Sequence, residues 1–138
     1  MSAPRFVDTN VLLYAVSTAE DEEAKRETAR RILRDGDLAL STQVLQEFYV
    51  QATRPSRDGA LTHEQAGGLI ESFTRFPLQE TTLGVVLGAL DVRRRHGVSY
   101  WDAAIIAAAS ALGCSTLLSE DLADGRDYDG VVVVNPFR

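Results

Sequence analysis

The chain has 138 residues, 45% hydrophobic and 25% charged, with a formal net charge of −6; that is one globular domain with a real core, and no apolar run nears the roughly 18 residues of a membrane span. No signal peptide is visible before the first strand, and Cys114 is the only cysteine, which excludes an internal disulfide and suits a reducing cytoplasm. The acidic balance argues at first sight against a nucleic-acid partner, although acids that converge on cations reverse that argument locally.

The first stretch, Arg5-Phe6-Val7-Asp8-Thr9-Asn10-Val11-Leu12, turns within two residues from a short β-run into a helical pattern. Asp8 stands at the switch, at the carboxyl end of what reads as the first, central strand. Ligands bind at that end of an open parallel sheet, and a carboxylate there is costly unless paired or bound to a cation. Asp8 or Thr9 equally suits a helix cap.

A short helix ending near Ser17 is followed by one over residues 20–34, with acids at its start and arginines at its end, as the helix dipole favours. Its charges read as a solvated face, and Asp35-Gly36-Asp37 stops it. Residues 38–40 form a second strand. Ser41 or Thr42 then caps a helix running to about Thr53, whose apolar face is Val44, Leu45, Phe48, Tyr49 and Ala52. Glu47 lies roughly 60° beyond Val44, at the edge of that face; it is either a solvated residue or a ligand.

After a polar loop at 56–61 comes a helix over 62–76, weakened by Gly67-Gly68, and a short edge strand at 77–80. Residues 82–96 are helical, with Gly84 and Gly88 allowing a neighbour to approach and Gly97 ending the helix. Arg93-Arg94-Arg95-His96 suits the helix C-terminus and RNA phosphates equally. Residues 99–112, from Ser99 through Trp101 to Leu112, are apolar all round and read as buried. Asp102 in the first turn is close to a capping box with Ser99, but so apolar a setting favours a carboxylate aimed at a shared centre.

Residues 115–118 form a strand, and Ser119-Glu120-Asp121 occupies its carboxyl end, the same address as Asp8. Asp124-Gly125, Asp127 and Asp129-Gly130 are turn chemistry without the Glu spacing of an EF-hand loop. A final buried strand spans 131–134. The alternation predicts one domain over 1–138, an α/β three-layer sandwich around a short-stranded, mostly parallel sheet.

In such a sheet, strand ends and helix starts share one edge, so Asp8, Glu47, Asp102 and Asp121 can meet. Unneutralised, they repel or protonate. One or two hard divalent cations resolve the conflict, Mg2+ first and Mn2+ with the same ligands. Such a centre acidifies a water and stabilises the leaving oxygen of a phosphodiester.

With these residues in view the chain resembles a PIN-domain ribonuclease of the small VapC toxin kind, over its whole length. Val7-Asp8-Thr9-Asn10-Val11-Leu12, Glu47, Trp101-Asp102-Ala103, Leu118-Ser119-Glu120-Asp121-Leu122 and the closing Gly130-Val131 to Val134-Asn135-Pro136-Phe137 carry the resemblance. It implies that Asp8, Glu47, Asp102 and Asp121 are the metal-binding catalytic quartet, and that Thr9, Asn10 and Ser119 orient carboxylates and waters. Glu120 ranks below Asp121 as an outer acid. It also implies cleavage of an RNA substrate, a cognate antitoxin encoded alongside and a homodimer. The helices at 20–34 and 41–53 are expected to offer the antitoxin a groove, into which it sends a basic side chain toward the acids.

Phosphate-accepting receiver domains and haloacid-dehalogenase-type phosphatases need a late lysine, whereas Lys25, the only lysine, comes early. The reading from another class is a catalytically silent PIN-like domain that only binds partners. His63 and His96 read as surface residues, since hard cations prefer oxygen. Tyr49 and Tyr100 read as core more than as base-stacking rings.

Overall fold

The computed structural model describes residues 4–138. In chain order the elements are β1 (Arg5–Val7), α1 (Thr9–Ala15), α2 (Glu23–Asp35), β2 (Leu38–Ser41), α3 (Thr42–Ala52), α4 (His63–Phe73), β3 (Leu78–Gln79), α5 (Leu83–His96), α6 (Tyr100–Ala111), β4 (Thr116–Leu118), β5 (Asp127–Tyr128) and β6 (Val131–Val134). One 3-10 turn, Glu20–Glu22, leads into α2, so the acidic start expected of a continuous helix is a separate turn.

The sheet has six strands in the order β3-β2-β1-β4-β6-β5, and every pairing is parallel except β5 with β6. Phe6 sits in register between Ala39 and Leu117. The chain steps in one direction from β1 to β2 to β3, then reverses across the sheet to β4. Right-handed crossovers therefore put α1–α4 on one face and α5–α6 on the other, which gives the expected three layers. The packing agrees: α1 lies against α2 and α3, while α6 packs on α5 and on β2, β3, β4 and β6. The reversal falls between β1 and β4, so the crevice at their carboxyl ends is the topological switch point of this sheet.

Hydrophobic burial drives these layers together. Ala103 to Ala109 of α6 are all buried, as the apolar run predicted, and Phe48 meets Phe73 edge to face at a centroid distance of 5.5 Å. Trp101 departs from that expectation. It is 65% exposed, although Tyr100 beside it in the first turn of α6 packs against the core. The last strand is also less enclosed than its four valines suggested, with Val134 40% exposed.

Two-residue β5 was not foreseen. The turn signal was correct: Asp129 and Gly130, both with positive φ (57° and 99°), are the two-residue link of the β5–β6 hairpin. An Asp-Gly pair is the residue choice a type I′ link demands. Arg95 pairs with Asp129 at 2.6 Å and His96 Nε2 meets it at 3.0 Å, while Arg94 and Arg95 also pair with Asp91. These interactions tie the end of α5 to the hairpin, a structural use of the basic run.

Gly88 of α5 faces Ala107 of α6, as the expected close approach requires, but Gly84 meets only the side chain of its own cap, Thr82. The loop after α3 is held by another glycine. Gly59 has φ of +70°, and a Cβ there would collide with the Thr18 side chain. Gly59→Ala should therefore cost about 1–3 kcal/mol through strain and overpacking. Gly84→Ala, in an exposed helix position with room, should instead raise stability by up to about 1 kcal/mol. Urea melts of the two variants read the opposite signs.

Candidate active site

Asp8 directly follows β1 and caps α1, the capping role weighed for it. Its Oδ1 accepts the Thr9 N–H at 2.7 Å and its Oδ2 accepts the Ser119 hydroxyl at 2.7 Å. Asp8 is only 6% exposed and Ser119 is fully buried. Burial pushes the Asp8 carboxyl up to about 6 against those two hydrogen bonds, and the charges of Asp121 and Glu47 push the same way.

Asn10 bridges the two strand ends. Its amide donates to Asp121 Oδ2 at 3.1 Å and more distantly to Asp8 Oδ2 at 3.5 Å, and its carbonyl accepts the Glu120 N–H at 3.3 Å. Ser119 Oγ in turn accepts the Asp121 N–H at 3.1 Å. Exposed Asp121 is thus held from two sides, by Asn10 and by Ser119.

Glu47 is half-buried on α3. Desolvation raises its pKa; a hydrogen bond from Gln43, at 2.9 Å, opposes this, and the charges of Asp102 and Asp121 add to the rise. Glu47 and Asp102 lie on α3 and α6, Asp8 and Asp121 lie just past the ends of β1 and β4, and each acid lies within electrostatic reach of at least one other. Asp102 is half-buried in the first turn of α6. Ser99 Oγ accepts the Asp102 N–H at 3.2 Å, whereas the complete reciprocal capping box occurs at Thr62 and Gln65.

Glu120 turns to other partners. It accepts hydrogen bonds from Tyr14 and from Lys25, the latter ion pair at 2.7 Å. Burial raises its pKa, but the bonds from Lys25 and Tyr14 outweigh that and leave it lowered. Sequence position hid the arrival of Lys25 at this edge. There its ammonium is committed to Glu120, which keeps Glu120 behind Asp121.

Two hollows flank the acids. One, of about 220 Å3, is lined by Asn10, Tyr14, Arg57, Glu120 and Asp121 among others. Arg57 was missed, because a lone arginine in a polar loop carries no signal. Its guanidinium donates to the Leu13 carbonyl at 3.3 Å. The other, of about 320 Å3, is lined by Gln43, Gln46, Glu47, Val50, Gln51 and Trp101. His63 is exposed and bonded to Tyr49, and His96 is held by Asp129, so neither histidine joins the acids.

The donor set fits a hard cation: carboxylates, amide oxygens and hydroxyls, with no sulfur or imidazole. Thr9 Oγ1 is buried beside Asp8 without a hydrogen-bond partner, an orphaned oxygen of the kind that a bound ion or its water satisfies. Among the described residues, no group of three or more Asp, Glu, His or Cys side chains is placed to hold a metal ion together. Mg2+ tolerates that looser arrangement, since it keeps several waters and takes one or two carboxylates directly.

The PIN domain family model matches residues 5–123. The chain belongs to the PIN-domain family. Comparison with the curated proteins finds no match. Among solved structures, this PIN domain is similar to a toxin–antitoxin complex from Klebsiella pneumoniae, with a TM-score of 0.68 at 19% identity over 96% of this chain and 97% of that one. It is also similar to Mycobacterium tuberculosis VapC20, described as a sarcin-ricin loop cleaving toxin (TM-score 0.64, 20% identity, 84% and 90% covered). DNA-bound VapBC from Salmonella typhimurium gives a TM-score of 0.65 at 19% identity, covering 96% and 97%. At these identities the likeness establishes a shared PIN fold. No helix of this PIN domain, among the described residues, is long and apolar enough to cross a membrane.

Proposed function

We propose that this PIN domain is a divalent-metal-dependent endoribonuclease, the toxin of a toxin–antitoxin pair that cuts cellular RNA in the cytoplasm and arrests growth. One observation supports the reading: beside the strand ends where the sheet reverses, the charges of Asp121 and Glu47 act on Asp8, and those of Asp102 and Asp121 act on Glu47. Structural neighbours described as toxin–antitoxin complexes, and one as a sarcin-ricin loop cleaving toxin, support it.

In this reading the quartet holds Mg2+, or Mn2+ in its place. Bound there, the ion would acidify a water and stabilise the leaving oxygen of the phosphodiester. The protein does the positioning. Ser119 and the Thr9 N–H fix the Asp8 carboxylate, Asn10 holds Asp121 beside it, and Gln43 steadies Glu47. Arg57, in the hollow with Asn10 and Asp121, supplies a guanidinium for a backbone phosphate. A cognate antitoxin with a basic side chain directed at the acids, and a homodimer, belong to the same reading. Co-purification with the neighbouring gene product and sedimentation of the pure chain test them.

The deciding experiment incubates the purified chain with total RNA in Mg2+, in Mn2+ and in excess chelator, then maps the new ends. Cleavage is expected with either ion and none in chelator. Inertness with both ions would leave a silent binding domain instead. Full activity in chelator would refute the metal requirement.

A further inference from the structure

The hollow beside Glu47 is built differently from the acid cluster it adjoins. Gln43, Gln46, Glu47, Val50 and Gln51 recur at helical spacing and share one face of α3, and Trp101 of α6 closes the opposite side. Trp101 is 65% exposed and Val50 55%. The indole is steadied by the edge of Tyr100, with ring centroids 5.1 Å apart and planes at 78°. Gln43 ties the two walls together, its amide reaching Glu47 Oε1 at 2.9 Å and the Trp101 carbonyl at 3.3 Å.

The lining is therefore one aromatic ring, one branched aliphatic side chain, three primary amides and, at one side, a candidate catalytic acid. No lysine, arginine or histidine lines it, so within the hollow a phosphate would find no cationic side chain to hold it. An apolar peptide side chain would cover the amides without pairing them, which costs free energy. A flat, uncharged heteroaromatic group with polar edges suits every part. Unpaired bases stack on aromatic side chains, and a primary amide offers a donor and an acceptor to a base edge. Because Glu47 belongs to both the hollow and the quartet, such a base would lie next to the phosphate being cut.

We propose that this hollow is a nucleobase subsite, in which an unpaired base of the RNA flanking the scissile phosphate stacks on Trp101 and is read by Gln43, Gln46 and Gln51. The proposal rests on the ribonuclease reading and adds the residues that choose where the cut falls.

Trp101 is the only tryptophan in the chain, so its fluorescence reports the stack directly. In an Asp121→Asn background, which prevents turnover, single-stranded RNA hexamers in Mg2+ should quench that fluorescence to saturation. Hexamers of abasic riboses should not. Adding Trp101→Leu should weaken hexamer binding, followed by anisotropy of a labelled strand, on the order of tenfold or more, and Trp101→Phe should restore most of it. In the otherwise wild-type chain, Trp101→Leu should raise KM more than it lowers kcat, and Gln46→Ala should change which base flanks the mapped cuts. Circular dichroism verifies that each variant folds.

Equal quenching by abasic strands, or Trp101→Leu cutting the same sites with unchanged KM, would overturn the subsite. So would loss of antitoxin binding with RNA binding intact, which would give this face to a protein partner. Absence of cleavage by the wild type with any ion counts against the ribonuclease reading, whereas base-dependent quenching stands or falls without turnover.

Discussion

Asp102→Asn should abolish RNA cleavage, by about a hundredfold or more, while changing stability by no more than a few tenths of a kcal/mol. The first part follows from charge. A ligand carboxylate contributes to holding the ion and to offsetting charge in the transition state, and removing several kcal/mol of such stabilisation costs orders of magnitude in rate. The second follows from the cap. The bond that starts α6 runs from the Asp102 N–H to Ser99 Oγ, and an Asn at 102 keeps that N–H. What is lost is a favourable charge in the first helical turn and the repulsion of Glu47, small opposing terms at a half-exposed position. Ser99→Ala is the mirror-image control: it should cost roughly 1 kcal/mol as a lost cap and leave the four acids unchanged. Cleavage assays and melts on both variants separate site from scaffold. If Asp102→Asn cleaves normally, or if it melts as low as Ser99→Ala, the catalytic reading of Asp102 fails.

What could be read from the sequence is what local chemistry makes conspicuous. A charge between Phe6-Val7 and Val11-Leu12 stands out, so Asp8 was found, and the strand–helix alternation located its edge of the sheet. Glu47 was ambiguous on its helix, and only the company of the other acids argued for it. The Asn10–Asp121 bond joins residues 111 apart, and the Lys25–Glu120 pair joins residues 95 apart. No periodicity or spacing rule carries such information, so the bridge between strand ends and the neutralisation of Glu120 had to be seen in three dimensions.

Trp101 was misjudged for a definable reason. An all-apolar helix is assigned to the core as a unit, but Trp101 faces outward while Tyr100 beside it packs on the core and Ala103 to Ala109 are buried. β5 escaped because Asp127-Tyr128 is too short to show alternation. Its Asp129-Gly130 link was recognised as a turn but not as a hairpin, since only one flanking run, Val131 to Val134, looked like a strand. Arg57 escaped because loop residues gain meaning only from what the loop is folded against, here the turn at Thr18 and the end of α1.

Metal-free Asp8→Asn should be more stable than the wild type at pH 7, and the difference should vanish or reverse below about pH 4. Burial raises the Asp8 carboxyl from 3.8 to about 6 in the folded chain. A carboxyl whose folded pKa is raised favours folding only when protonated. Its contribution is therefore greatest below the unfolded value near 4, declines as pH rises through about 6, and stays at its least favourable above that. About two pKa units correspond to roughly 3 kcal/mol of destabilisation at neutral pH. Asn removes that charge but accepts through a single oxygen, so it keeps only one of the bonds from the Thr9 N–H and Ser119, a loss of about 1 kcal/mol. The net gain at pH 7 should be on the order of 1–2 kcal/mol. Glu47 shifts in the same direction, so the difference between wild type and variant, not the wild-type curve alone, isolates Asp8. Mg2+ should narrow the gap. At ten times its Kd it stabilises the wild type by about 1.4 kcal/mol, and the variant, short of a ligand, should lose most of that response. Urea melts from pH 4 to pH 8, in chelator and in Mg2+, give all four curves. A variant that melts below the wild type at pH 7 in chelator, with its Mg2+ response intact, would reduce Asp8 to the cap of α1.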